Sequence, residues 1–167
     1  MMKKTIFSMA AAALLAVPAF AGAQTVTTTG TVDTYINMTG ASAIGFGTLS
    51  RTTDASIDPA GGTGSATRSV DYNQNMTATY TSVPSNLTAT VNGSTVNLPV
   101  SLKCAYKIGG GSWSAASACS TASFAMNVGS ALTTGTLGFG GDILATNVAN
   151  ALAATYTGTF TVVLTAR

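Results

Sequence analysis

Few side chains in this 167-residue sequence are suited to catalysis. The chain has no His, and its five acidic residues are Asp33, Asp54, Asp58, Asp71 and Asp142. Without His or Glu the usual general bases are missing, and neither the Gly-x-Ser-x-Gly pattern of a nucleophile elbow nor a phosphate-binding loop occurs. A hydrolase with two paired Asp carboxylates is the enzymatic alternative, but each Asp lies in a polar turn or on a Thr-rich face, where carboxylates are usually solvated. We therefore expect no enzyme, no catalytic residue and no cofactor.

Metal binding and redox chemistry are the next possibilities. Asp54 and Asp58 lie in a Gly- and Pro-containing loop, residues 51–66, but they lack the spacing of an EF-hand. Two cysteines, Cys104 and Cys119, have no His nearby that would complete a zinc site. An even pair of cysteines in an exported protein most simply forms a disulfide. The sequence therefore predicts a Cys104–Cys119 disulfide and no metal site.

The first 23 residues have the pattern of a secretory signal peptide. Lys3 and Lys4 precede a short apolar run, and Ala21-Gly-Ala23 provides small residues for cleavage before Gln24. The apolar run is shorter than the ~20 residues that a spanning helix needs. We expect a secreted protein with no membrane span after cleavage.

The composition of residues 24–167 favours β structure and self-association. This part has five basic and five acidic residues, so its net charge is about zero, and it is rich in Thr. Charged helix-forming residues are nearly absent, which favours strands. A chain with no basic patch is a poor candidate for binding nucleic acid, and near-zero net charge promotes association.

Alternating patterns predict strands along most of this part. Residues 155–167 alternate strictly from Tyr156 onwards, and residues 25–38 alternate in the same way. Asn92-Gly93 between two alternating runs predicts a hairpin in which Leu87 and Ala89 face Val96 and Leu98. Residues 67–74 and 76–83 are predicted as a strand pair or one bent strand. Their inward side chains would be Val70, Tyr72, Met76, Ala78 and Tyr80.

Two segments near the end of the chain are not predicted as strands. Gly135–Gly141 is rich in glycine and is predicted to be a turn region. Residues 142–154 have rough helical spacing, with Asp142 as the candidate N-cap. Eight or nine short strands separated by turn signals predict an all-β antiparallel sandwich or barrel.

The two ends of the sequence resemble those of pilin-like subunits, in particular spore-coat-U and archaic chaperone–usher fimbrial proteins. The resemblance is carried by the signal peptide, by Thr29–Asn37 with Phe46-Gly-Thr-Leu49, and by Tyr156–Val162. It implies an immunoglobulin-like sandwich that lacks one strand and is completed by the N-terminal extension of another copy. It also implies a periplasmic chaperone and an outer-membrane usher as assembly partners, although self-assembly by the same exchange remains an alternative.

The resemblance divides the chain into residues 1–23, an extension at 24–40 and a sandwich domain at 41–167. The alternating face of the extension, which would be the donor strand, consists of Val26, Thr28, Gly30, Val32, Thr34, Ile36 and Met38. The strand bordering the acceptor groove would carry Tyr156, Gly158, Phe160, Val162 and Leu164. On pattern alone, residues 25–38 fit equally well as the first strand of the domain's own sheet.

Two classes of function are therefore open. The first is a structural subunit of a cell-surface filament, a pilus or fimbria, that polymerises with copies of itself. The second is a monomeric secreted module, carbohydrate-binding or adhesin-like, that would use aromatic side chains such as Tyr72, Tyr106 and Trp113. A matrix or spore-coat protein is a further variant of the structural class.

Overall fold

The computed structural model describes residues 32–40, 43–129 and 131–167, which contain eleven strands and one short helix. The elements are β1 (Ile36–Thr39), β2 (Ala55–Ile57), β3 (Ala66–Tyr72), β4 (Met76–Thr81), β5 (Asn86–Val91), β6 (Ser94–Pro99), β7 (Ser101–Ile108), β8 (Ser117–Ala118), β9 (Ser123–Met126), β10 (Thr133–Ile143), α1 (Ala145–Ala149) and β11 (Thr161–Ala166). All of them belong to one unit, Asp33–Arg167.

The strands form antiparallel sheets that enclose a single core. The large sheet has the order β1-β3-β10-β7-β8, with β2 also paired to β10, and the smaller sheet has the order β11-β4-β9. The hairpin β5–β6 forms a separate two-stranded sheet. Buried side chains from both larger sheets make one hydrophobic cluster. The predicted all-β antiparallel sandwich is therefore confirmed.

The chain changes sheets between β3 and β4. The five side chains predicted to point inward from this stretch are all buried: Val70, Tyr72, Met76, Ala78 and Tyr80. The two strands do not pair with each other, because β3 lies between β1 and β10, whereas β4 lies between β11 and β9. Residues 73–75 therefore connect the two layers of the sandwich.

Strand β10 is the central strand of the large sheet, and the prediction of a turn region at Gly135–Gly141 is wrong. It pairs with β7 along one edge and with β3 and then β2 along the other. Its glycines serve close packing: a Cβ on Gly138 would overlap Pro59, and a Cβ on Gly140 would overlap the carbonyl oxygen of Ile57. The backbone at 57–59 lies directly against Gly138 and Gly140 of β10. Only glycine leaves room for so close an approach.

The predicted hairpin forms at Asn92-Gly93. Leu87 pairs with Leu98, and Ala89 pairs with Val96. Asn92 and Gly93 have φ values of 50° and 81°. Both lie in the left-handed region that a two-residue type I′ turn requires.

The helical segment, predicted as one or two turns or a crossover loop, forms one short helix, and its N-terminus has a different partner. Only Ala145–Ala149 is helical, and no side chain of the flanking residues caps it. Asp142 lies in β10 instead, so its prediction as the N-cap is wrong. The carboxylate of Asp54, 91 residues away, accepts a hydrogen bond from Ala145 N at 2.7 Å. An acidic acceptor at a helix N-terminus is favourable whether its side chain is local or distant.

The predicted disulfide is present. Cys104 and Cys119 are bonded, with their Cα atoms 5.1 Å apart, and both are fully buried. The bond joins Cys104 in β7 to Cys119, the residue after β8. Strand β8 itself pairs with β7 over two residues. The cross-link therefore fixes a loop that has little regular structure of its own.

Candidate functional site

A long groove opens along one side of the sandwich and has a volume of about 1100 Å³. One wall is the segment 43–49, and the other is the segment 151–160 together with Val162. The groove is therefore bordered by a stretch before β2 on one side and by the approach to β11 on the other.

The floor of the groove is the hydrophobic core itself. Six buried side chains line it, from four strands and the helix: Ala66, Leu98, Leu102, Phe139, Ile143 and Val148. The walls add half-buried side chains that pack against this core, among them Ile44, Phe46, Phe160 and Val162. Leu152, which also lines the groove, is 53 % exposed. A groove of this kind suits an apolar occupant.

Both walls offer backbone groups for pairing. Among the described residues, strand β11 is an edge strand of the smaller sheet and pairs with β4 alone. Just before it, Thr157 exchanges two backbone hydrogen bonds of 2.8 Å with Thr88. Within the described residues, the backbone hydrogen bond of segment 43–49 runs from Gly45 N to Gly64 O, at 2.9 Å. Such edges readily accept a further strand.

An aromatic cluster lies beneath the groove. The ring centroids of Phe139 and Phe160 are 5.4 Å apart, and Tyr80 packs edge-on against both at 6.0 and 6.3 Å. The hydroxyl of Tyr80 is buried and has no hydrogen-bond partner among the described residues. Burial raises the pKa of this hydroxyl well above its ordinary value.

The charged residues that line the groove are both cations. Arg68 donates a hydrogen bond to Gly40 O at 3.1 Å, and Arg51 donates one to Ala151 O at 3.4 Å. The groove lining contains no carboxylate within the part of the chain that the structure describes. The groove is therefore apolar along its floor and positively charged at these two residues.

Four of the five predicted acceptor residues line the groove. They are Tyr156, Gly158, Phe160 and Val162, whereas Leu164 is half-buried in β11 opposite Ala78 and lies outside the lining. The regular strand begins only at Thr161, although the alternating pattern starts at Tyr156. Sequence reasoning did not assign the opposite wall, segment 43–49, to the site. The alternation of Ile44 and Phe46 was its only sequence signal.

The predicted donor residues fall into three groups: those outside the described residues, those before β1 and those in β1. Val26, Thr28 and Gly30 lie outside the described residues. Val32, before β1, is 86 % exposed. The hydroxyl of Thr34 donates to Gln74 Oε1 at 3.3 Å. Ile36 and Met38 belong to β1, which pairs with β3 of the same chain and leaves them 40 % and 37 % exposed.

Residues 36–39, assigned from sequence to the extension, form an outer strand of the large sheet in this structure, where β1 pairs with β3. Ile36 and Met38 therefore lie in a sheet of their own chain.

The carboxylates are dispersed and have local partners. Asp142 forms an ion pair with Lys103 at 2.5 Å and accepts from Ser56 Oγ at 2.7 Å. Burial raises its pKa, but the hydrogen bonds from Lys103 and Ser56 and the ammonium charge outweigh burial, so the pKa lies below its ordinary value. Asp71 accepts from Thr134 Oγ1 at 2.6 Å, and Asp58 accepts from Ala60 N at 2.9 Å. No group of three potential metal ligands occurs among the described residues.

The aromatic residues suggested for a binding module do not form one exposed surface. Tyr72 is fully buried, as its inward position predicted, so the suggestion that a binding module would use it is wrong. Tyr106 stacks on Phe124 with ring centroids 4.8 Å apart. Trp113 packs near Gly138, and Lys107 Nζ lies 5.0 Å from its ring centroid, a cation–π distance. The three aromatics therefore have separate structural contacts.

Comparison of the chain with protein-family models, with curated proteins and with solved structures finds no match. The pilin-like resemblance therefore rests on the residues quoted above. Among the residues that the structure describes, no helix has both the length and the apolar character for crossing a membrane.

Proposed function

We propose that this protein is the structural subunit of an extracellular filament, in which the N-terminal segment of one copy inserts as a strand into the groove of the next. The observation that carries the proposal is the open groove, because its floor is the hydrophobic core and one border is the free edge of β11. A sandwich with such a groove is stabilised when a further strand covers the core and pairs with the edge.

The segment 24–32 has the length and pattern for this role. Nine extended residues span roughly 30 Å, whereas the seven residues of the wall 43–49 span at most roughly 23 Å, because the chain bends at Gly47. On its alternating face, Val26 and Val32 flank Thr28 and Gly30. Burying the two valines contributes about 1.5–3 kcal/mol each, and each backbone hydrogen bond adds about 1 kcal/mol.

The donor segment, residues 24–32, and the groove are made of different residues, and this determines the assembly. A contact between two different surfaces is heterologous and leaves a free groove at one end of every chain of subunits. Repetition of this contact produces an open fibre. The near-zero net charge of residues 24–167 is compatible with dense packing of copies.

The pilin-like resemblance completes the proposal. The subunit is exported under its signal peptide, acquires its disulfide outside the cytoplasm, and is delivered to the cell surface by a periplasmic chaperone and an outer-membrane usher. The immunoglobulin-like arrangement with one missing strand belongs to the same proposal, since the groove occupies the place where that strand would complete the sandwich.

The test compares the mature protein, starting at Gln24, with a variant lacking residues 24–32. Unheated samples on an SDS gel and negative-stain electron microscopy report assembly. We expect an SDS-resistant ladder and filaments from the mature protein and neither from the deletion variant. A synthetic peptide of residues 24–33 should raise the melting temperature of the deletion variant, whereas the same peptide with V26D and V32D should not. This peptide experiment needs no chaperone.

A matched pair of variants locates the insertion site. Val162 lines the groove, whereas the neighbouring Thr161 is exposed on the other face of β11. V162R should abolish the ladder and the response to the peptide, and T161R should preserve both. A folded protein that gives no ladder and ignores the peptide would refute the proposal. The loop around Trp113, with its pocket of about 260 Å³, would then be the place to search for a ligand of a monomeric binding module.

A further inference from the structure

The side chain of Asn73 holds the beginning of the described N-terminal segment. Its Oδ1 accepts from Tyr35 N at 2.8 Å, and its Nδ2 donates to Asp33 O at 2.7 Å. The backbone N–H of Asn73 also donates to Tyr35 O, at 3.2 Å. One residue thus makes three hydrogen bonds to a backbone segment about 40 residues earlier in the chain.

These contacts extend the ladder between β1 and β3 after β3 has ended. The register pairs Ile36 with Tyr72, so the next antiparallel pair is Tyr35 with Asn73. At Asn73 the chain turns away towards β4 in the other sheet. The amide side chain then takes the place of a backbone, since it offers both a donor and an acceptor.

The pairing ends at a defined residue. Asp33 O is the last backbone group held by Asn73, whereas Val32 is 86 % exposed. At its other end, β1 is fixed by the hydrogen bond from Arg68 to Gly40 O and by the close approach of Gly40 to Thr67 O. Loss of the two side-chain hydrogen bonds of Asn73 leaves the bond from Asn73 N to Tyr35 O and the exposed one from Thr34 to Gln74. Such a loss would therefore loosen residues 33–35 without detaching β1.

We propose that Asn73 is the positioning residue that determines where the donor arm begins, and thereby the stiffness of the joint between subunits. This inference rests on the proposed function. If residues 24–32 are inserted in the neighbouring subunit and Asp33 is held by its own domain, no free residue remains between them. Without the side chain of Asn73, the loosened residues 33–35 lengthen the connection, and a longer flexible connection bends more easily.

The test compares filaments of the mature protein with those of N73A and of N97A, a control that removes an exposed amide from β6. We expect all three to give the SDS-resistant ladder. The persistence length measured from electron micrographs should be shorter for N73A only. In the unassembled full-length mature protein, the N73A change should accelerate exchange of the Tyr35 amide by roughly 10-fold, as expected from the loss of hydrogen bonds of about 1 kcal/mol each.

A second variant covers the case in which N73A does not fold. N73D keeps an acceptor for Tyr35 N but lacks the donor for Asp33 O, so its filaments should have an intermediate stiffness. N73A and N73D filaments as stiff as those of the wild type would overturn the role of Asn73 while leaving strand insertion intact. Absence of any ladder from the wild-type protein would instead refute the proposed function and this inference with it.

Discussion

Removal of the Cys104–Cys119 disulfide should destabilise the domain by an amount set by the length of the loop it closes. The two cysteines are 15 residues apart, and the loop between them contains Gly109, Gly110 and Gly111. Such a segment has many conformations in the unfolded chain, and the cross-link removes a large part of them. The perturbation is the double variant C104A/C119A.

The expected magnitude follows from the loop length. The chain-entropy model gives about 3 kcal/mol for a 15-residue loop. For a unit of the size of Asp33–Arg167, this corresponds to a decrease of about 10 °C in the melting temperature. Because both cysteines are fully buried, their replacement by Ala also removes packing. The wild-type protein under reducing conditions retains the sulfur atoms and isolates the effect of the cross-link.

The assay is urea unfolding of oxidised wild type, reduced wild type and the double variant. Reduced wild type should lose about 3 kcal/mol, and the double variant should lose somewhat more. A loss below about 1 kcal/mol would contradict the reasoning. It would mean that other contacts hold the loop. The candidates are two hydrogen bonds, from Ser114 N to Tyr106 O at 2.8 Å and from Tyr106 N to Ser114 Oγ at 3.1 Å.

Three further predictions concern the core and one ion pair. G140V should prevent folding, because a Cβ there overlaps backbone, whereas G110V should express normally because nothing lies within 4 Å; soluble yield and thermal melting of the two distinguish these outcomes. The lowered pKa of Asp142 means that its ion pair with Lys103 stabilises the fold at neutral pH and that this contribution is lost as the pH falls through the folded-state pKa. Urea midpoints of wild type and D142N should therefore converge between about pH 5 and about pH 1, and a constant difference would contradict the assignment. Y80F should be neutral or stabilising, by up to about 1 kcal/mol, because the buried hydroxyl has no partner among the described residues; a clear decrease in melting temperature would show that the hydroxyl has an unrecognised partner.

Sequence reasoning succeeded where the determining interactions are local. The Asn92-Gly93 turn requires two left-handed residues, and this pair adopts that conformation readily. The inward positions of β3 and β4 follow from alternation alone, because the side-chain period of a strand is fixed at two residues. The disulfide followed from the presence of two cysteines in a chain predicted to be exported.

The errors arose where distant segments decide the structure. Gly138 and Gly140 look like turn residues unless it is known that Ile57 and Pro59 cross directly above them. Asp54 binds the N-terminus of α1 from another loop, which no local capping pattern reveals.

The groove was only half predictable. The alternating residues from Tyr156 to Val162 lie along one wall, but a strand needs a neighbour to pair with, and regular pairing with β4 starts only at Thr161. The opposite wall, segment 43–49, has a shorter pattern, and its position across the groove depends on the assembled sandwich.

The position of β10 in the sequence has a consequence for the order of folding. This strand joins β2, β3 and β7, and its pairs with β2 are about 85 residues apart. Sheets dominated by such distant pairs form slowly, on a timescale of roughly milliseconds to seconds. The large sheet cannot close until Thr133–Ile143 has emerged, after four-fifths of the chain has been made. A nascent chain of this kind therefore stays without its main sheet through most of its synthesis.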